Sequence, residues 1–241
     1  MSAYGEIKRV LDISALPTTV WARFSPIDEN TEPDRYISVH HLTLATASAL
    51  PGLLEYLGAV FAKEIEDGLT YPQEGEMMQK TFEEYFFAAD VFVGIVGQSF
   101  PRTATRERIR TGDQVRLDID TERGQRTWED CVAGYYYIKP NYPGRSSHIC
   151  NAGFVVPPVQ RNKGYGSLLS SSYVHYAPRL GYQASVFNLV YVNNVASVRL
   201  WEKLGFTKAG RIPRAGRLRT ADGLSEEYVD AWLIYKSFIE E

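Results

Sequence analysis

Between a strand-like run ending at Val156 and a helix-like run beyond it lies Arg161-Asn162-Lys163-Gly164-Tyr165-Gly166, which has the composition of an anion-binding turn. Two glycines let backbone amides approach a negative group closely at a helix start, where unpaired N–H groups already point outward. Arg161 and Lys163 add charge there, but a helix end contributes only about 0.3 to 1 kcal/mol per exposed charge, so the amides do most of the positioning. By itself such a turn reads equally well as a structural loop. Two other phosphate loops are excluded. A P-loop needs Gly-x-x-x-x-Gly-Lys-Ser/Thr, and a dinucleotide fingerprint needs a third glycine where Leu169 stands.

Other residues with chemistry to offer are few. His148 precedes a strand-like run and has the ordinary pKa of about 6.5 that suits a base, although a turn histidine is the plainer reading. His40, His41 and His175 match no common metal spacing, so no metal is expected. Cys131 and Cys150 are too few for a disulfide framework and read as buried thiols.

The framework that must carry these residues alternates short strand-like and helical runs, which points to a mixed α/β sheet. Residues 37–44 read as a strand, and Leu53, Leu57, Val60, Phe61 and Ile65 recur at helical spacing until Gly68. A second helix is expected over 74–88, with Met78, Phe82, Tyr85 and Phe86 on one face, and a buried strand over 91–96. From 98 to 130 the chain is polar and rich in arginine, including Arg102, Arg106, Arg108, Arg110, Arg116, Arg123 and Arg126. Interleaved acids cancel their field, so a solvated excursion is expected, with a phosphate or partner site as the alternative. Strands at 132–138 and 149–156 should pair across the turn-rich Lys139-Pro140-Asn141-Tyr142-Pro143-Gly144. A helix over 168–176 should stop before Pro178. A strand at 184–191, a helix at 196–204 and strands near 207–212 and 228–236 complete the chain, the late helices separating strands that should run parallel.

Composition narrows the function class. The 241 residues are 44% hydrophobic and 23% charged, near the globular average, and fit one large domain. A net charge of -3 from 26 basic and 29 acidic side chains gives no long-range field for nucleic acid or an anionic membrane, so a small-molecule partner is expected. Residues 1–24 mix Glu6, Lys8, Arg9 and Asp12 with apolar residues, unlike a signal peptide, and no apolar run approaches the ~20 residues of a membrane span. A soluble, cytoplasmic protein is the expectation.

The second informative stretch is Asn194-Val195-Ala196-Ser197-Val198-Arg199-Leu200-Trp201-Glu202-Lys203-Leu204-Gly205-Phe206, a helix with an asparagine at its mouth and a glycine stop. Together with the Arg-x-x-Gly-x-Gly loop about thirty residues before it, this stretch resembles the GNAT acetyltransferase superfamily. The resemblance implies an α/β GNAT fold, a mixed and mostly antiparallel sheet with splayed central parallel strands and flanking helices. It implies acetyl-CoA as donor and direct transfer of acetyl to an amine. The pantetheine arm would lie beside Phe154, Val155 and Val156, the pyrophosphate on Arg161, Asn162, Lys163, Gly164, Tyr165, Gly166 and Ser167, and Asn194 near the pantetheine. An N-terminal extension, 1–36, would pack on one acetyltransferase domain, 37–241. Homodimers occur by analogy.

A narrower resemblance covers about 61–213. Phe61 to Gln73, Tyr137-Ile138-Lys139-Pro140-Asn141-Tyr142, Cys150-Asn151-Ala152-Gly153-Phe154 and Phe187-Asn188-Leu189-Val190 look like segments of the fungal proline-analogue acetyltransferases. Those enzymes take a cyclic secondary amine bearing a carboxylate, such as azetidine-2-carboxylate or a hydroxyproline, and detoxify it. The resemblance makes Asn151 and Asn188 the catalytic pair, meeting where the strands part, and it puts Tyr71 and Phe154 at the acceptor. A side-chain amide holds no titratable proton near neutral pH, so the pair would act by orientation, with Asn188 fixing the rotamer of Asn151. Amides at Gly153 and Phe154, on a bulged strand, would face the thioester oxygen. Many GNAT enzymes have a tyrosine where this chain has Trp201, and an indole cannot protonate a thiolate; Tyr165 or solvent would have to. The alternatives are acetylation of another small amine, acetylation of a protein amine, and a non-catalytic acetyl-CoA-binding module.

Overall fold

In the run Tyr135-Tyr136-Tyr137, period-2 alternation sends neighbouring rings to opposite faces of one sheet, and a separate core has grown on each. A computed structural model describes residues 15–23, 35–98 and 110–239. Eight strands form the sheet: β1 Thr19–Arg23, β2 Arg35–Leu42, β3 Asp90–Val96, β4 Val132–Pro140, β5 Ile149–Val155, β6 Ala184–Tyr191, β7 Thr207–Arg219 and β8 Glu226–Ser237. Their spatial order is β1-β2-β3-β4-β5-β6-β8-β7. Neighbours are antiparallel except β5 and β6.

On one face lie α1 Leu44–Ser48, α2 Leu53–Asp67 and α3 Gln79–Phe86, which bury Leu57, Phe61, Phe82 and Phe86 against Val93, Tyr135 and Tyr137. Gly68, at φ 66, ends α2 in the left-handed conformation that glycine adopts without strain. On the other face α6 Tyr165–Arg179 and α7 Val195–Lys203 cover Phe92, Tyr136, Cys150 and Phe187 with Leu169, Tyr173, Tyr176 and Trp201.

The fold matches the expected α/β architecture, with local corrections. The second helix starts at Gln79; Gly75 at φ 87 breaks the stretch before it. Pro178 sits inside the last turn of α6, where the proline removes one N–H bond near the end and Leu180 N–H still reaches the Tyr176 carbonyl at 3.0 Å. The polar excursion is partly built: α4 Ile119–Arg123 and α5 Trp128–Cys131 lie within it, and Trp128, buried under the Arg123 guanidinium, donates Nε1–H to the Pro51 carbonyl. Arg102, Arg106 and Arg108 lie outside the described residues. Of the N-terminal 36 residues, Thr19–Arg23 form the edge strand β1, which the apolar pattern did not single out. The strands around α6 are adjacent and parallel, whereas those around α7 point the same way with β8 between them. Both cysteines are free and buried. No helix among the described residues is long and apolar enough to cross a membrane.

Tyr135 ties the α2 layer to the sheet by donating its buried hydroxyl to the Leu57 carbonyl at 2.7 Å. Tyr135→Phe should therefore cost about 1 kcal/mol in urea unfolding with an unchanged slope. An unchanged midpoint would mean that the bond contributes nothing.

Candidate active site

Strands β5 and β6 are paired only at Ile149↔Ala184 and Cys150↔Ser185 and then separate. Beyond that point their facing backbone groups have no ladder partner in each other, and a cavity of about 700 Å³ opens between them. Cys150, Tyr173 and Ser185 pin the closed end, where the Tyr173 hydroxyl donates to Ser185 Oγ at 2.6 Å and lies 3.2 Å from Cys150 Sγ. Rings hold the strands apart further up: Phe154, Phe187 and Trp201 lie within 4.6 to 6.4 Å of one another, centroid to centroid. The Trp201 indole donates to Ser197 Oγ at 3.1 Å and serves as wall.

One end of the cavity is the turn before α6. Asn162 and Gly164 take positive φ, 61 and 85, and Gly164 is the N-cap of α6. The first N–H groups of a helix have no partner within it, and Ser167 N–H turns back to the Gly164 carbonyl. A Cβ on Gly166 would meet nothing nearer than Val156 Cγ2 at 4.0 Å, so the space before these amides is free. The turn thus fits a phosphate group through backbone donors. Asn162, Gly164, Tyr165, Gly166 and Ser167 all line the cavity, as do Phe154, Val156 and Asn194. Asn194 caps α7 by accepting from Ser197 N–H at 3.2 Å.

The charged pair at this turn behaves differently from expectation. Arg161 lines the cavity, but its guanidinium is paired with Glu64 and donates to the Val156 carbonyl. Lys163 turns its ammonium to Gln160 Oε1 at 3.1 Å and does not line the cavity. Val155 is 1% exposed and faces the α2–α3 core, because alternation along β5 turns it away from the neighbouring Phe154 and Val156. Lys163 and Val155 are thus corrected as side-chain contacts.

At the other end three asparagines converge. Asn151 Nδ2 and Asn188 Nδ2 each donate to Asn141 Oδ1 at 2.7 Å, and Asn141 Nδ2 donates to Asn188 Oδ1 at 3.1 Å, with the amides assigned from this network. Asn151 and Asn188 therefore meet through Asn141 rather than directly. Asn141 is 6% exposed and was not singled out from the sequence; its only signal was a place in the quoted Lys139-Pro140-Asn141-Tyr142 segment. Asn151 Oδ1 is buried and has no partner. β5 pairs with β4 without a register shift from Cys150 to Val155, so the expected bulge at Gly153 and Phe154 is absent. The irregularity lies across the cleft in β6, where Phe187 to Val190 spans one residue more than Ile234 to Trp232 of β8 and re-aims Asn188.

The side of the cleft under α2 and α3 is built from tyrosines, of which the sequence pointed only to Tyr71. Tyr71 donates its hydroxyl to the Phe154 carbonyl at 3.1 Å, roofing the cavity beside Pro72. Tyr85 and Tyr137 share a 3.0 Å hydroxyl contact, and the Tyr137 ring lies so close to Gly153 that a Cβ there would meet it at 2.6 Å. Burial raises Tyr71 and Tyr137 well above the usual phenol range. Tyr191 lines the cavity with a buried hydroxyl that has no partner. The Phe154 ring packs on the opposite, α6–α7 side. His148 sits in its turn against the Arg145 carbonyl and is not part of the lining. No Asp or Glu lines the cavity, and no group of three or more metal-ligating side chains occurs among the described residues.

Comparison with known proteins matches residues 98–206 to the acetyltransferase (GNAT) family. N-acetyltransferase aca1 of Schizosaccharomyces pombe is 41% identical over 186 residues, spanning 77% of this chain and 80% of aca1. Protein SPT10 of Saccharomyces cerevisiae is 29% identical over 222 residues, 81% of this chain but 34% of that protein. The structure of yncA from Salmonella typhimurium with its cofactor acetyl-CoA shares the fold, with a TM-score of 0.57 at 15% identity over 85% of this chain and 95% of that one.

Removing the unpartnered hydroxyl should not hurt the unliganded protein. Tyr191→Phe is expected to leave the urea midpoint unchanged or raised, since a buried orphan polar group costs about 1 to 3 kcal/mol. A midpoint that falls would reveal a bond to this hydroxyl.

Proposed function

Because the chain belongs to the acetyltransferase (GNAT) family and is an acetyl-CoA-dependent N-acetyltransferase, we propose that its acceptor is a small cyclic secondary amino acid such as azetidine-2-carboxylate or a hydroxyproline, detoxified by acetylation of the ring nitrogen. The observation that carries this reading is the unpartnered amide oxygen of Asn151, Oδ1, at the point where β5 and β6 part. A neutral secondary amine has one N–H to give and one lone pair to aim. Accepting that N–H at Asn151 fixes the direction of the lone pair, which is catalysis by positioning.

Acetyl-CoA supplies the acetyl thioester. The turn amides from Lys163 to Gly166 hold its pyrophosphate, and the gap between β5 and β6 takes the pantetheine arm. Asn141 and Asn188 lock each other through two hydrogen bonds, and Asn141 in turn holds Asn151. Backbone N–H groups of β5 that face the gap past Cys150 are free to meet an oxyanion without any bulge. None of the three amides titrates near neutral pH, so the amine proton passes to water. Tyr165 stands in the phosphate turn itself, where burial raises its phenol against the pull of Arg35 and Arg126, so the departing thiolate takes its proton from solvent.

Two features favour a small, anionic acceptor over the alternatives. A polyamine or amino sugar needs carboxylates, and none lines the cavity. A protein amine needs an open groove, and Tyr71 bridges to β5 where that groove would run.

Thiol release from acetyl-CoA with azetidine-2-carboxylate, against a control without acceptor, tests the reading directly. Asn151→Ala should lower turnover about a hundredfold, the scale of a removed positioned donor or acceptor, and Asn141→Ala should approach it. A loss below about threefold in folded Asn151→Ala would end the positioning role. Gly166→Val fills the space before the turn amides and should weaken acetyl-CoA binding by about tenfold or more, roughly 1.4 kcal/mol, in calorimetry. Unchanged affinity would remove the pyrophosphate from this turn.

A further inference from the structure

Lys139 stands directly opposite Asn151 in the β4–β5 register. Its ammonium is held between two ring faces, 4.0 Å from the Tyr85 centroid and 4.2 Å from that of Tyr137, and both tyrosines line the cavity. Opposed residues on an antiparallel pair point to the same face, and the Tyr137 ring lying over Gly153 marks that face as the acceptor side. Among the described residues, no carboxylate lies within ion-pairing distance of Lys139.

A mostly buried cation without a counter-ion is costly, and ring faces compensate only in part. Burial accordingly pulls the Lys139 ammonium down to about 8. The cation that itself lines the cavity, Arg161, is already paired with Glu64 and stands at the phosphate end, whereas Lys139 meets the opposite end through the Tyr85 and Tyr137 rings on which its ammonium rests. The acceptor end therefore has an unpaired positive charge and no negative one. Cβ atoms of opposed residues lie about 4.5 to 5.5 Å apart, so the Lys139 and Asn151 side chains leave the sheet as neighbours on one face.

We propose that Lys139, clamped between Tyr85 and Tyr137, binds the carboxylate of the acceptor while Asn151 holds its nitrogen, so that the enzyme selects α-amino acids over plain amines. The inference rests on the proposed cyclic amino-acid acceptor and adds the residue that reads the acid group. The two rings already hold the ammonium in place, so little side-chain freedom is lost when the carboxylate arrives.

The experiment compares azetidine-2-carboxylate with azetidine-2-carboxamide, which keeps the ring and nitrogen but not the charge, in wild-type protein, K139M and K139R. Wild type should favour the carboxylate in kcat/KM by on the order of 10- to 100-fold, the scale of a hydrogen bond to a charged group. K139M should bring the two amines within about threefold of each other, mainly by raising KM for the carboxylate, with the acetyl-CoA Kd unchanged. K139R, which keeps the charge, should retain part of the preference. Turnover of the carboxylate by wild type with the preference intact in K139M, or with both amines slowed equally, overturns the role of Lys139 and leaves the acceptor class standing. Wild-type protein that turns over neither amine overturns the acceptor class and the inference with it.

Discussion

Two parallel strands that share only two register pairs are the constraint on which this molecule depends. A continuous β5–β6 ladder would satisfy its own backbone and leave no room between the strands. Once the ladder stops at Cys150 and Ser185, the freed groups face a gap, and an enclosed polar backbone is costly unless a ligand or water meets it. The gap is kept open by bulk rather than by charge: the Phe154, Phe187 and Trp201 rings occupy the α7 side, where a flat sheet would need small side chains. The closed end is held by the polar contact of Cys150, Tyr173 and Ser185, so the point of divergence is fixed from both directions.

The cleft divides its labour by face. The turn before α6 presents backbone donors and leaves its side-chain charges occupied elsewhere, Arg161 with Glu64 and Lys163 with Gln160. An anion there meets geometry fixed by two positive-φ residues, Asn162 and Gly164, rather than flexible cations. The opposite end is lined by aromatic rings with hydroxyl tips and by the asparagine cluster. Buried polar networks are stabilising when complete and expensive when not, and of the three buried orphan atoms among the described residues, at Gln73, Asn151 and Tyr191, the last two belong to residues that line this cavity.

Trp201 joins these two halves. Its indole is committed to Ser197 and to neighbouring rings, which makes the helix carrying it a structural wall. Among the phenols that line the cleft, burial raises Tyr71, Tyr137 and Tyr165 above the ordinary range.

Local pattern alone determined a good deal. The loop Arg161 to Gly166 and the capped helix after Asn194 are contiguous in the chain, their glycines and cap residues act over a few bonds, and so the family and the α/β order were legible in the sequence. Periodicity placed α2, β3, β6 and α7 within a residue or two because burial imposes 3.6 and 2.0 repeats directly on residue type. Tertiary structure alone decided what lies between distant segments. Asn141 stands ten residues before Asn151 and forty-seven before Asn188, and only strand register brings their amides together. The diversion of Arg161 to Glu64, ninety-seven residues away, and the clamping of Lys139 on β4 by Tyr85 from helix α3 follow the same rule. A side chain's type is written in the sequence, but its partner is set by packing between elements, and at this site the partner determines whether a charge or an amide is spent or left free.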